Sequence, residues 1–574
     1  MKKTIPISCL LVTAIAATTA AQPVVQSRGA DPRVDYAGLK KIGPWDDRNY
    51  ELTREELAIL PPDDALQKEA LPAYFRVRLR NEFRLRTSGP AQYPLSAVPR
   101  FSIFEGGYLI DGFFYLAAEF TGDGWVVHTD LEDGIDEAVR FLDGESRVTT
   151  PNGGAESSIA VHPLNSDLAI AGSNGPGGGQ KMHFSTDGGV TWAQSAPLPL
   201  GGVCCDPTVA WSADGSKAYA ATLAGSIDAV WVYRSADGGQ TWDDLVNEPG
   251  ADPRREFSGN GGFDDKEFLH VDHSATSPHR DNVYMTWQSS GDMHFKRSTD
   301  FGHTWEANVT VGSDSEFLGV GSDISTDRSG NVFHVWPAYN SQKIWVTKST
   351  DGGVSFGAPV EVATTQASFG FPLPSMESRD VHTVVNTDVD LTDGPFADRV
   401  YLSWTDSTAP TGNASMNHGR IQVAYSSDGG ASWIVTTPHE TADADTVDRY
   451  HPWLRVGSNG NVHIIFYDTR RDLPNRNQLD IFHSVSTDGG ASWSTPDRIT
   501  SEQSPNIVNG FEFGDYNGLD IVMNDMIAIF TDNRNEGGGG GDSVDIYAAS
   551  IPDSEIFADG FESGDTSAWS TVVP

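Results

Sequence analysis

From about residue 155 the chain alternates short apolar runs with turns rich in Gly and Asp, and the runs group in fours. Each group predicts an inner strand, a second strand often ending in an aromatic residue, a third strand, and a short fourth strand. Unit one reads 157–162, 168–172, 181–185 and the run after Trp192. Unit two starts at 205–211, and unit three at 265–272 with 283–287 as its second strand. Unit four starts near Val320 and unit five near Asp380, where 400–404 follows. Unit six begins at Tyr450 with 462–467 second, and a seventh runs from Tyr516 through 526–531 and 545–550.

The third strand of the first six units runs into one eight-residue phrase. It reads STDGGVTW (185–192), SADGGQTW (235–242), STDFGHTW (298–305), STDGGVSF (349–356), SSDGGASW (426–433) and STDGGASW (486–493). A repeat at this density makes one supersecondary unit stated many times. Ser, the third-position Asp and the fifth-position Gly never vary, whereas the fourth position accepts Phe301. Invariant Gly beside a position that takes Phe predicts φ > 0 at the Gly. The Asp carboxylate is placed to accept from the N–H groups that follow it. The closing Trp or Phe is an apolar peg for a neighbouring sheet. These phrases read as turns, not as active sites.

The pattern S-x-D-x-G-x-[ST]-[WF] resembles the Asp box of the sialidase (neuraminidase) superfamily and of related BNR-repeat propellers, over about residues 155–550. The resemblance implies an all-β β-propeller with the boxes on the face opposite the active site. Counting units yields seven blades, or six if the seventh unit completes blade one; sialidases proper have six. The seventh unit lacks a box and a fourth strand, which an N-terminal segment is placed to supply, removing the sheet edge.

Composition narrows the partners. Of 574 residues, 79 are Asp or Glu and 39 Lys or Arg, a net charge of −40, which disfavours nucleic acid and anionic membranes. The start, Met1-Lys2-Lys3 with an apolar run over 7–17 and small residues to Ala21, reads as a signal peptide (1–21), so an exported bacterial protein is expected: secreted, periplasmic or on the cell surface. No later run reaches the roughly 18 apolar residues of a membrane span. Residues 22–150 read as a leader with short helices over 52–60 and 63–70 and strands over 74–86 and 101–127. The propeller takes 151–552, with a loop at 537–541, and 553–574 is a tail. Past the signal only Cys204 and Cys205 remain; a vicinal disulfide and two buried thiols both stand as readings. A monomer is expected.

Alternating strand direction brings inner-strand starts and second-strand ends together on one face near the axis, away from the boxes. That rule collects Asp206, Asp265, Lys266, Glu267, Asp448, Arg449, Tyr450, His451, Tyr467, Asp468, Arg470, Asp515, Tyr516, Asp532 and Arg534, among others. Arg449, Arg470 and Arg534 are the candidate binders of an anionic sugar, since guanidinium forks hold carboxylates in bidentate fashion. The Asp-x-Arg spacing at 468–470 and 532–534 equally predicts ion pairs at blade rims. Sialidases pair an Arg triad with a carboxylate-activated Tyr and an Asp acid/base. That likeness assigns Tyr450 or Tyr516 as nucleophile, Glu267 or Asp515 beside it, and Asp265 as acid; the family's early F/Y-R-I-P motif is absent here. Asn386-x-Asp388-x-Asp390 with Asp393-Gly394 leaves a structural Ca²⁺ loop open against a plain inter-strand loop, and no other cofactor is implied. His270, His273, His279 and His294 lack zinc-ligand spacing. Two functions follow: a sialidase-like glycoside hydrolase acting on an acidic glycan or glycoprotein, or a non-catalytic propeller binding glycan or protein at the cell surface.

Overall fold

A computed structural model describes residues 145–552, apart from 150–153, 176–178, 200–202, 225–228, 244–255, 258–263, 368, 409–410, 508–511, 523–524 and 535–543, and six short strands before them. The chain divides into two units, Met1–Asp143 and Gly144–Pro574. In the first, Phe101–Phe104, Gly107–Ile110 and Phe113–Leu116 form one antiparallel sheet. Ile5–Pro6, Trp125–Val127 and Ala118–Phe120 form another. Strands therefore occur where the pattern over 101–127 predicts them. The expected helices over 52–60 and 63–70, the strand over 74–86, the rest of the signal segment, the 537–541 loop and the tail lie outside the described residues.

The second unit is a seven-bladed β-propeller. The inner strands are Ser158–Val161, Thr208–Trp211, Asp264–Val271, Asp323–Thr326, Val385–Val389, Arg449–Val456 and Gly518–Val522. Each begins an antiparallel sheet of four strands in chain order, except that in blade six Ser504–Pro505 also pairs with the third strand, and blade seven takes its outer strand from the front of the unit. There Ser146–Arg147 pairs with Ala548 and Tyr547. Arg147 holds Asp545 at 2.6 Å and the Val148 N–H donates to the Ile546 carbonyl at 2.8 Å. The expected ring closure by an N-terminal segment is what forms.

Unit five starts later than the pattern suggests. Residues around Asp380 belong to a hairpin, Gly370–Leu373 with Met376–His382, inserted between blades four and five. Its alternation mimics an inner strand, but Phe371, Leu373, Met376 and Val381 pack into a cluster with Tyr450, Tyr467, Phe513 and Tyr516. The propeller's own inner strand waits until Val385.

The six repeat turns share one hydrogen-bond circuit. The fifth-position Gly N–H donates to the Ser hydroxyl at 2.8–2.9 Å. The Asp accepts the Thr or Ser hydroxyl at 2.5–2.6 Å on one oxygen and that residue's N–H at 2.8–3.0 Å on the other. The fifth Gly has positive φ, as expected, but so does the fourth position, Phe301 included at 57°. In blade two space separates the two positions. A Cβ at Gly239 would lie 2.5 Å from Ile170 of the preceding blade, whereas one at Gly238 meets nothing within 4 Å. The pegs follow the same direction: Trp242 packs with Ile170, Trp433 with Phe333 and Trp493 with Tyr401, each on the blade before. Each turn thus fastens its blade to its predecessor.

Among the described residues no helix is long and apolar enough to cross a membrane. Asn386, Asp388 and Asp390 do not gather as a cation loop. They cap strands and a turn, accepting from Leu454, Val456 and Thr392 N–H groups.

Gly239→Ala should cost about 2–5 kcal/mol, overpacking added to left-handed strain, and Gly238→Ala only about 1–2 kcal/mol; equal denaturation midpoints would refute the close-approach account. Hydrogen bonds from the Ser432 hydroxyl and N–H and from the Ser426 hydroxyl hold Asp428 at about 2, below the ordinary 3.8. The other five turn carboxylates are also lowered. Depressed carboxylates stabilise the fold above pH about 4 and lose that contribution as pH falls towards 2. Acid titration of the denaturation midpoint should show the loss in that window, reduced in Asp428→Asn.

Candidate functional site

Charged groups converge where the inner strands begin, close to the axis. β-Bulges interrupt the pairing between Asp265 and Phe268 in blade three and between Tyr450 and Trp453 in blade six. Bulges of this kind re-aim side chains. Positive φ at Lys266 (52°), Asp206 (58°), Glu156 (57°) and His451 (51°) marks the same rim. Non-Gly residues adopt this conformation only where the surroundings dictate it.

Lys266 is the hub. Its ammonium lies 2.8 Å from Asp515, 3.2 Å from Asp206 and 3.7 Å from Glu156, and 5.0 Å above the Tyr516 ring. Arg379, from the hairpin, pairs with Asp515 and lies 3.3 Å from Glu156. His382 brings Nδ1 to 3.1 Å from Asp515 and stacks on Phe369 at 4.7 Å. Burial alone would lower the Lys266 ammonium, but Asp206, Asp515, Glu156 and Asp265 together raise it well above its ordinary value.

The carboxyl groups separate by environment. Burial raises Glu156 to about 8, against the pull of Lys266. Glu267 is raised well above its ordinary range by burial and by Asp206, and neither of its oxygens has a hydrogen-bond partner among the described residues. Asp265 and Asp206 are raised as well, by burial first. Asp515 goes the other way: Lys266, His382 and Arg379 outweigh its burial and hold it well below the usual range. Burial thus biases Glu156 and Glu267 towards their protonated forms, while Asp515 is held ionised. Splitting of this kind is how one pocket keeps an acid and a conjugate base side by side. His451 is neutral, pushed down to about 3 by burial, with both ring nitrogens unpaired among the described residues.

Most of the cluster is buried. Asp265, Arg379 and His382 are its partly exposed members, so the mouth is theirs. Behind Asp206 the chain passes through Cys204–Cys205, which are joined as a vicinal disulfide.

Of the residues expected from sequence, Asp265, Glu267, Asp515 and Tyr516 meet here. Tyr516 is buried between Phe268 and Trp453, and burial with the surrounding carboxylates pushes its phenol well above 10. Tyr450 lies beneath the hairpin, fully buried, its hydroxyl donating to Ser375 at 3.0 Å. Neither phenol has the exposure of a nucleophile. The three arginines do not converge. Arg449 and Arg470 share Asp468 at 2.7 and 2.8 Å, and Arg449 also forks onto Asp443 at 3.0 and 2.7 Å. Arg534 is committed to Asp532 at 2.6 Å and Glu145 at 2.7 Å. Their planar forks are filled by neighbouring carboxylates, which is the rim ion-pair arrangement that the Asp-x-Arg spacing equally predicts.

Glu156, Arg379 and His382 were not anticipated. Glu156 stands one residue before the assumed start of unit one, so the inner-strand rule reaches it once the register is known. Arg379 and His382 carry no such signal, because the hairpin does not belong to the repeat.

A family model described as a domain of unknown function (DUF8300) matches residues 35–119, ahead of the propeller. No curated protein matches the chain. Solved structures similar to it include a lectin from Burkholderia pseudomallei, at 10% identity and TM-score 0.45, covering 70% of this chain and 97% of that one. A protein of unknown function from Dyadobacter fermentans is 16% identical with TM-score 0.38, covering 60% and 97%. An alpha-L-arabinanase from Penicillium chrysogenum, complexed with arabinobiose, is 14% identical with TM-score 0.37, covering 60% and 92%. Likeness at these levels carries no argument about ligand or reaction.

Glu156 binds a proton in the folded state between its ordinary 4.5 and about 8 that the unfolded chain has released. Its contribution is therefore fully present below 4.5 and lost as pH rises through 8. Denaturation midpoints should fall across that span in the wild type, and less steeply in Glu156→Gln; parallel profiles would contradict a raised Glu156.

Proposed function

We propose that the protein is a glycoside hydrolase acting on an acidic glycan at the axial cluster. The observation that supports this reading is the meeting, at one mouth, of a cation, a carboxyl biased towards its protonated form and an imidazole beside a carboxylate. Arg379 is the group for the sugar's anionic substituent. Asp265, raised by burial, is the proton donor to the leaving oxygen as the glycosidic bond breaks. His382, 3.1 Å from Asp515, accepts the proton of the water that adds to the sugar. This scheme replaces the phenolic nucleophile of a sialidase with water, because Tyr450 and Tyr516 are buried.

A second reading has its own support. Glu156, Lys266 and Asp515 are all buried beneath the hairpin side of the cluster, which suits a propeller that binds an acidic glycan without turning it over. Turnover separates the two. Purified protein should release sugar from sialylated or uronate-containing glycans. Asp265→Asn should lower kcat by about 10²–10⁴-fold with KM little changed. Arg379→Met should chiefly raise KM for acidic over neutral glycans. Binding without any product, unchanged in Asp265→Asn, would leave the non-catalytic reading standing and end the hydrolase one.

A further inference from the structure

The repeat turn of blade three departs from the other five at one otherwise shared position: Phe301 stands where they have Gly. The backbone does not change to suit it. The five Gly residues have φ of 68–79°, and Phe301 takes the same left-handed conformation at 57°. A bulky side chain held there stores backbone strain, and strain of this kind concentrates at functional positions. Phe301 lines an open surface depression of about 630 Å³ between this turn and the first turn of blade two. Asp214, Ser216, Lys217, Arg234, Asp300 and His303 complete the lining. Because the repeat turns lie at the far end of the inner strands, this depression opens on the face opposite the axial cluster.

We propose that this open depression is a second saccharide-binding site, taking a sugar that bears an anionic group. An aromatic ring ringed by charged and hydrogen-bonding groups is the chemistry that recognises a sugar, whose ring has an apolar face and polar edges. Phe301 supplies the stacking surface. The Lys217 ammonium has no ion-pair partner among the described residues and is the group for the anion. Asp214 and Asp300 accept bonds within their own turns, from Ser216 and Thr304, and their carboxylates keep lone pairs for sugar hydroxyls. Arg234 props the turn from below, donating to the Phe301 carbonyl at 3.2 Å. The site needs no turnover and does not depend on the axial chemistry.

Phe301→Gly tests it cleanly, since the variant restores the sequence of the other turns and relieves the strain. Calorimetric titration of the full protein with a trigalacturonate, a sulfated disaccharide and neutral maltotriose would be compared across wild type, Phe301→Gly, Lys217→Ala and Asp265→Asn. A higher Tm in Phe301→Gly, with anionic-sugar binding weakened at least tenfold, is expected. Lys217→Ala should weaken the anionic probes and not the neutral one, and Asp265→Asn should leave this binding in place. Unaltered binding by a folded Phe301→Gly, no binding of either anionic probe by the wild type, or binding lost only in Asp265→Asn would each overturn the proposal.

Discussion

The repeat turns press closely on the blade before them: a Cβ at Gly239 or Gly353 would lie 2.5 or 2.6 Å from it, and one at Gly189, Gly302 or Gly490 3.2–3.3 Å. Everything else in the ring depends on that contact. At Gly239 the backbone rests against Ile170, and the same approach recurs at Gly490 against Tyr401 and at Gly189 against Ile527. The Ser–Asp circuit holds each turn rigid enough to press there, and the aromatic peg fills the space alongside. Seven blades cannot bury their faces singly, so this stapling, with the outer strand of blade seven drawn from Ser146–Arg147, closes the ring and leaves inner strands pinned around an axis.

Pinning has an electrostatic consequence. Inner-strand starts are forced together, and two bulges turn Lys266 and His451 inward among carboxyl groups. One buried ammonium and one guanidinium cannot keep so many carboxylates ionised. Desolvation therefore pushes Glu156 and Glu267 towards protonation, while Asp515, closest to both cations, is held charged. Removing one partner of such a network strands the others, which is why single losses here are costly.

The repeat was legible because local geometry demands specific residues: Ser and Asp for the circuit, Gly for the close approach. From that periodicity the fold class, the blade count and the face of the axial cluster followed, and with them Asp265, Glu267, Asp515 and Tyr516. The arginines misled. Arg449, Arg470 and Arg534 have the residue type of an anion site, yet the nearby Asp443, Asp468 and Asp532 fill their forks, and Arg534 takes a further, distant partner in Glu145. The hairpin was read as an inner strand because a period of two is common to both.

What the sequence determined by itself is therefore the architecture, since turns and strands are encoded by neighbours within a few residues. Tertiary structure alone decided which charges meet. Arg379 from an insertion, Glu156 from the first blade and Asp515 from the last are brought together only by ring closure. Local Asp-x-Arg spacing accounts for the pairs of Arg470 with Asp468 and Arg534 with Asp532, but only the fold brings Glu145 to Arg534.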